Sequence, residues 1–262
     1  MSDTQPVVVS QEGAVGIVEL ARPDKFNCLT MEVHRGLDAA LTRHEAPGSG
    51  VRALLIRAQG AHFCTGADLQ QVKDLRQRPD ELRAFLGAGH AVLRRLEASP
   101  LPVVAACQGL CLAGGLELML ACDVIFAARD AKFGDQHAQF GLVPGWGGSQ
   151  RLPRLIGLRR ALDLFYSARW LSADEAHGFG LVNHLADPAA LHADALSYCH
   201  KMATRSREGL AIMKRLARQG LEGTLSAGLS DEEVLAPPVL RGDDVSEGLA
   251  AFEARRAPSF KP

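Results

Sequence analysis

PVVAACQGLCLAGGLELMLACD, residues 102–123, is the most informative stretch of the chain. Its first five residues form an apolar run that predicts a buried strand, and Gly114 and Gly115 open a helical segment that ends near residue 121. Because Gly114 lacks a Cβ and lies at a helix start, its backbone N–H is free to bind an oxygen. Glu117 follows about one helical turn later, so its carboxyl group can approach whatever that amide holds. The stretch predicts either an acid/base beside an oxygen-binding amide or a glutamate that merely caps its own helix.

A second loop offers a similar amide in the stretch HFCTGAD, residues 62–68, which follows a strand-like run at residues 51–57. Gly66 and Ala67 are small, so a backbone N–H at this position is also unobstructed. Two free amides from two separate strand-to-helix turns are what a developing oxyanion requires. The alternative is an ordinary glycine turn in which Asp68 caps the next helix.

The composition is that of an ordinary globular protein. The 262 residues are 47% hydrophobic and 23% charged, with a formal net charge of −1. A chain of this length forms one substantial domain or a core with a smaller C-terminal part. Its balanced charge gives no long-range field to attract nucleic acid or an anionic membrane. The six cysteines show no CxxC pair or zinc-ligand spacing, so we expect reduced thiols, no metal site and a cytoplasmic location.

Strand and helix patterns alternate up to about residue 185 and are helical thereafter. The predicted strands are residues 16–20, 51–57, 103–107, 124–127 and 181–184. The predicted helices are residues 31–44 with Thr30 as N-cap, 79–97, 114–121, 159–167 and 172–178. The apolar stretch 110–128 is interrupted by Glu117 and Asp123, which favours a buried helix and strand over a membrane span. After residue 189 we predict helices broken at Ser206, at 220–223 and at Pro237-Pro238. The pattern indicates an α/β core, residues 1–200, and a helical C-terminal region, residues 201–262.

Six motifs occur in an order typical of one protein family. They are FCTGAD at 63–68, AGGLEL at 113–118 with CD at 122–123, FG at 133–134, GLVPGWGGSQRL at 141–152, SADEA at 172–176 with GLV at 180–182, and EGLAAF at 247–252. On these motifs, the chain resembles the crotonase (enoyl-CoA hydratase/isomerase) superfamily over essentially residues 7–262. The resemblance implies an α/β, crotonase-like spiral of ββα units with a helical C-terminal region that forms a homotrimer or a dimer of trimers.

The resemblance also implies a ligand. An acyl-CoA thioester is expected to bind with its carbonyl oxygen between the amides of Ala67 and Gly114. Coenzyme A is then part of the substrate, and no cofactor is implied. The residues considered for contact with coenzyme A are Arg22, Lys25, Ala61, Gly66 and Asp68, the alternative for the two cations being an ordinary solvated charge.

The catalytic carboxylates agree with the family at one position and depart from it at another. Family hydratases hold the reacting water with two glutamates, and Glu117 stands at the first position. At the second position, counted from Phe133-Gly134 without a gap, this chain has His137. His137 is an acid/base or water-positioning group, a sign of altered chemistry on the same enolate, or a packed or solvated histidine. Asp135 either orients that imidazole or is a solvated carboxylate.

These features predict an enzyme that adds water to the double bond of an enoyl-CoA thioester. Glu117 is expected to act as general base, His137 as the second acid/base, and the amides of Ala67 and Gly114 as the oxyanion donors. Because of His137, isomerisation, hydrolysis or decarboxylation of an acyl-CoA is the alternative within the family. A non-catalytic acyl-CoA- or RNA-binding member is the alternative of another class, and the near-neutral charge argues against a strong RNA binder.

Overall fold

The computed structural model describes residues 5–260; the predicted core and C-terminal region each extend a few residues further, and residues 1–4 and 261–262 lie outside the described part. The strands are β1 (Val7–Glu12), β2 (Val15–Leu20), β3 (Ala53–Ala58), β4 (Val103–Cys107), β5 (Leu110–Leu112), β6 (Val124–Ala128), β7 (Lys132–Gly134), β8 (Leu171–Ser172) and β9 (His184–Ala186). The helices are α1 (Met31–Glu45), α2 (Leu69–Leu75), α3 (Pro79–Ala98), α4 (Gly114–Leu120), α5 (Gly148–Ile156), α6 (Leu158–Ser167), α7 (Ala173–Gly178), α8 (Leu191–Ala203), α9 (Arg207–Gly220), α10 (Leu225–Leu240) and α11 (Asp243–Glu253). Two 3-10 turns occur at Pro23–Lys25 and His137–Phe140.

The larger sheet contains six strands in the order β1-β2-β3-β4-β6-β9. β1 is antiparallel to β2, and all other neighbours in this sheet are parallel. Every residue of β4 is buried, as expected of a central parallel strand with both faces covered. α8 packs on β3 and β4, and α1 packs against α3.

The smaller sheet positions the site. It contains β5, β7 and β8, with β5 parallel and β8 antiparallel to β7. A parallel bridge between Cys64 and Cys111 joins the loop after β3 to β5. Because α4 begins just after β5, this bridge brings the 62–68 loop against the start of α4.

The last three helices carry exposed apolar side chains, and α9 is bonded to the core. Lys214 of α9 donates hydrogen bonds to the carbonyl oxygens of Leu96 and Leu101, and Arg218 forms a 2.8 Å ion pair with Asp123. The exposed large apolar side chains on and between these helices are Met213, Leu221, Leu225, Leu229, Val234, Leu240, Leu249 and Phe252. A group of exposed large apolar side chains such as this one is typical of a protein interface.

Most of the predicted elements are confirmed, with shifts of one or two residues at their ends. Thr30 caps α1 by accepting a hydrogen bond from the N–H of Val33. The stretch 110–128 forms β5, α4 and β6, and within residues 5–260 the structure contains no helix with the length and apolarity needed to cross a membrane. The pattern did not reveal β1 or the short strands of the smaller sheet, and it gave no bounds for α2 or α5. The helix that Asp68 was expected to cap as one alternative is α2, where its side chain accepts hydrogen bonds from the N–H groups of Gln70 and Gln71.

Two predicted features are wrong. The strand expected at residues 181–184 is displaced to β9 because the N–H groups of Leu181 and Val182 instead bond to the carbonyl oxygen of Ala176, at the end of α7. The pair Pro237-Pro238 does not break a helix but lies inside α10. The carbonyls that lose a partner there are those of Glu233 and Val234, in the middle of α10, and both residues are exposed, so water can bond to them.

Candidate active site

The start of α4 leaves the Gly114 N–H free. Ala113, the N-cap residue, has a φ of 49°, and its own N–H donates to the carbonyl oxygen of Gly134. Within residues 5–260 the Gly114 N–H donates to no other group. A Cβ on Gly114 would lie 2.6 Å from Cζ3 of Trp146, so only glycine fits beneath the indole.

The 62–68 loop brings a second free N–H beside the first. Leu29 pairs with this loop by donating to the carbonyl oxygen of Gly66 and accepting from the N–H of Asp68, which leaves the Ala67 N–H without a partner among the described residues. Gly66 has a φ of 105°, and a Cβ there would lie 3.0 Å from the Gly114 nitrogen. The small Gly66 therefore allows the two turns to approach each other.

Glu117 is buried behind these amides, with 1% of its surface exposed. Its Oε1 accepts hydrogen bonds of 2.7 Å from the backbone N–H groups of Trp146 and Gly148. Its Oε2 is buried and has no hydrogen-bond partner among the described residues. Burial raises the pKa of Glu117, although the N–H of Gly148, the charge of His137 and the N–H of Trp146 oppose that shift. Oε2 is thus a buried acceptor oxygen that no described residue hydrogen-bonds.

His137 faces that oxygen. Its Nε2 lies 3.8 Å from Oε2 of Glu117, and its Nδ1 lies 2.9 and 3.0 Å from the two carboxylate oxygens of Asp135. Burial alone would lower the pKa of His137, but the hydrogen bond and charge of Asp135, with the charge of Glu117, raise it above its usual value. Asp135 is 2% exposed; of the two alternatives open for this residue, the solvated carboxylate is therefore wrong. The structure brings Glu117, His137 and Asp135 together in one row.

A cleft of about 1060 Å³ leads to this row. Ala67, Ala113 and His137 are among the residues that line it, whereas Glu117 is buried and does not line it. Cys28 also lines the cleft, and burial raises the pKa of its thiol to about 11, so it remains protonated near neutral pH. Within residues 5–260, no group of three or more His, Cys, Asp or Glu side chains is arranged to hold a metal ion.

The residues considered for coenzyme A contact fall into different positions. Lys25 and Asp68 line the cleft. Arg22 pairs with Asp68 at 3.3 Å and donates to the carbonyl oxygen of Cys28, so its guanidinium supports the loop. Gly66 is buried beneath the Ala67 amide, and Ala61 is exposed away from the cleft lining. Their contact with coenzyme A stays a prediction.

The groups that hold Glu117 could not be predicted from the sequence. These are backbone N–H groups of Trp146 and Gly148, and no side-chain pattern reports a backbone contact between distant segments. Arg151 further fixes that turn, because its guanidinium donates to the carbonyl oxygen of Trp146 at 2.7 Å and forms two bonds to Glu97. Trp146 itself is buried and packs against Phe85.

The chain is similar to known proteins over almost its whole length. A family model described as Enoyl-CoA hydratase/isomerase matches residues 10–262. A probable enoyl-CoA hydratase of Rhizobium meliloti is 36% identical over 257 residues, covering 98% of each chain. A short-chain-enoyl-CoA hydratase of Clostridium acetobutylicum is 31% identical over 256 residues, covering 97% of each. The crystal structure of an enoyl-CoA hydratase from Bacillus anthracis superposes with a TM-score of 0.93 at 32% identity, covering 98% of this chain and 99% of the other. The expected resemblance and α/β fold are confirmed, and the chain belongs to the enoyl-CoA hydratase/isomerase family, within the crotonase superfamily.

Proposed function

We propose that this protein is an acyl-CoA enzyme that adds water across the α,β double bond of an enoyl-CoA thioester. The observation that carries the proposal is the 3.8 Å approach of Glu117 Oε2 and His137 Nε2 beside a cleft lined by Ala67, Ala113 and His137, with the free N–H groups of Ala67 and Gly114 nearby. The substrate class comes from the family and from relatives described as enoyl-CoA hydratases.

The amides of Ala67 and Gly114 hold the thioester carbonyl oxygen in this proposal. Attack of water at Cβ moves charge onto that oxygen and forms an enolate, so two donors fixed in advance stabilise the transition state more than the substrate. Loss of one such donor typically costs about 3 kcal/mol of barrier. Glu117 and His137, beside the amides, then need only to transfer protons.

The reacting water sits between Glu117 and His137. Two atoms 3.8 Å apart can both hydrogen-bond to one water oxygen placed to the side, since each bond needs about 2.8 Å. Glu117 takes a proton from the water as its oxygen bonds to Cβ, and His137 gives a proton to Cα of the enolate. Glu117 and His137 together hold one proton, which is on His137 before the reaction and on Glu117 after it. Transfer of that proton from Glu117 back to His137 restores the starting state.

The remaining features of the proposal follow from that chemistry and from the surface. The reaction moves only water and protons, so no cofactor beyond the coenzyme A of the substrate is required. The exposed apolar side chains of α9, α10 and α11 support residues 201–262 as an oligomerisation region, beside residues 1–200 as the catalytic core. The homotrimer or dimer of trimers is what the family resemblance implies. Six free cysteines suit the cytoplasm, and the balanced charge gives no support for nucleic acid or membrane partners.

The purified protein tests the proposal with a panel of short, medium and aromatic enoyl-CoA thioesters. We expect loss of the enoyl thioester absorbance and formation of the 3-hydroxyacyl-CoA product. Glu117→Gln is expected to lower kcat by about 10²–10⁴-fold while leaving binding of the CoA ester largely intact. Glu81→Gln, in an exposed carboxylate that lines the same cleft, is the matched control. No turnover of any thioester in the panel rejects hydration.

His137 itself favours one second candidate, because it stands where family hydratases have a glutamate. An imidazole suits another reaction of the same enolate or thioester: isomerisation, hydrolysis or decarboxylation of an acyl-CoA. Analysis of the products separates these reactions, since hydrolysis releases a free CoA thiol and decarboxylation releases carbon dioxide. Binding of acyl-CoA that is unaffected by Glu117→Ala, without any turnover, indicates a non-catalytic member.

A further inference from the structure

We propose that Asp135 is a positioning residue that fixes His137 in the tautomer with its proton on Nδ1, so that Nε2 is presented to Glu117. The consequence for turnover rests on the proposed function. The tautomer itself is a property of the free protein. The two parts can therefore fail separately.

The contact between Asp135 and His137 has the geometry of an orienting pair. Both carboxylate oxygens lie within 3.0 Å of Nδ1, and Oδ1 also accepts the backbone N–H of His137 at 3.2 Å. A carboxylate accepts hydrogen bonds, so Nδ1 must be the donor. Nε2 is then left to exchange a proton on the side where Glu117 Oε2 has no partner.

The loop that carries the pair is fixed by its own hydrogen bonds. Gln136 donates from Nε2 to the carbonyl oxygen of Ala168 at 2.6 Å, and Leu142 donates its N–H to the carbonyl oxygen of His137. Asp135 is 2% exposed, so its carboxylate is shielded from bulk water. Burial of a carboxylate is costly unless it is bonded, and within the described residues its bonds go to His137.

Two charged side chains, those of Asp135 and Glu117, act directly on the imidazole of His137. α6 packs against the 3-10 turn at His137–Phe140. Of its charged residues, Arg160 lies over the ring of Phe179 and Asp163 pairs with Arg169. The third charged residue of α6 is Arg159. The other charged residues of the cleft wall are Asp24, Lys25, Asp68, Asp74, Arg78 and Glu81. Among the described residues, none of these forms an ion pair with His137.

The imidazole nitrogens of the free protein give the first test. Ring ¹H–¹⁵N correlation spectra, recorded over a pH series and assigned by comparison with His137→Gln, identify which nitrogen of His137 carries the proton. In the wild type we expect the Nδ1–H tautomer above the titration range. In Asp135→Asn we expect loss of that preference and a lower pKa of His137, because the carboxylate charge that raises it is removed. Asp130→Asn, in an exposed carboxylate, is the control.

Turnover gives the second test. The negative charge of Asp135 raises the pKa of both Glu117 and His137, so Asp135→Asn is expected to move both limbs of the pH profile of kcat/KM to lower pH. The alkaline limb is expected to move further, because Asp135 contacts His137 directly. We also expect kcat to fall by about 10²-fold or more with little change in KM. Asp135→Glu, which keeps the charge, is expected to restore part of the alkaline limb.

The outcomes separate the inference from the function. An unchanged His137 tautomer and pKa in a folded Asp135→Asn variant overturns the inference, whatever the activity. A wild-type pH profile and kcat in that variant overturns it as well. If the spectra change as expected but the wild type hydrates no enoyl-CoA, the positioning role stands and the proposed function falls. If Asp135→Asn does not fold, the titration of His137 in Asp135→Glu decides: a raised pKa supports the inference, and a pKa at the usual histidine value overturns it.

Discussion

The two sides of the site are held in place by different means. The backbone-held half consists of Gly114, Glu117, Trp146 and Gly148, in which main-chain N–H groups fix the carboxylate and every residue is buried. The side-chain-held half consists of Asp135, Gln136 and His137, followed by a turn whose next residues are exposed. A backbone contact survives most substitutions, whereas a side-chain contact changes with a single residue. A substitution at position 137 can therefore leave in place the backbone N–H groups that hold Glu117.

The largest effect on kcat is expected for a substitution within the backbone-held half. A Cβ at Gly114 would lie 2.6 and 2.9 Å from the ring of Trp146, and a rigid indole cannot yield without moving the amide or Glu117. Gly114→Ala should lower kcat by about 10²–10³-fold, as for loss of an oxyanion donor. Steady-state kinetics with an enoyl-CoA substrate measure this effect, and Gly178→Ala, at a helical glycine with open space around it, is the control. Equal losses in the two variants would show that the backbone contact is not responsible.

His137→Gln tests the side-chain-held half. We expect kcat to fall by about 10²-fold, because one of two acid/base groups is lost. The charge of His137 lowers the pKa of Glu117, so the acid limb of the pH profile should move to higher pH. The alkaline limb, which lies above the usual histidine pKa because the pKa of His137 is raised, should disappear. An alkaline limb that persists unchanged in the variant assigns it to another group.

Trp146→Phe separates the backbone of this residue from its side chain. The N–H that bonds to Glu117 remains, so kcat should stay within a few-fold of the wild type. The smaller ring loses contacts with His34 and Phe85, so the free energy of unfolding should fall by about 1–2 kcal/mol. Denaturant unfolding and steady-state kinetics on the same sample check both expectations. A collapse of kcat with unchanged stability would instead assign the indole to the substrate.

The smallest effect is expected at Gln139. Its amide donates to Oε1 of Gln136 at 3.0 Å from an exposed position, so Gln139→Ala should cost about 0.5–1 kcal/mol of stability or less. Because Asp135 and Gln136 hold the loop, the pH profile should not move. A shifted alkaline limb, seen in the same assay, would extend the side-chain-held half to include the exposed turn.

Local patterns were sufficient for much of the fold. The apolar runs of β3, β4 and β6 and the N-cap at Thr30 depend on residues close in sequence, and the structure has them where predicted. Short strands such as β5 and β7 were not predicted, since three residues carry too little periodicity to be distinguished from a loop. β9 was misplaced because backbone bonds to the end of α7 compete with strand pairing.

The sequence by itself determined the α/β class, the family, the positions of the two free amides and the choice of Glu117 and His137 as the acid/base candidates. Each of these depends on residue type within a short motif. Only the tertiary structure decided that Asp135 is buried against His137, that Nε2 lies 3.8 Å from Oε2 of Glu117, and that distant N–H groups hold the other carboxylate oxygen. Burial and the pairing of charges depend on which segments the fold brings together, and no local pattern records that.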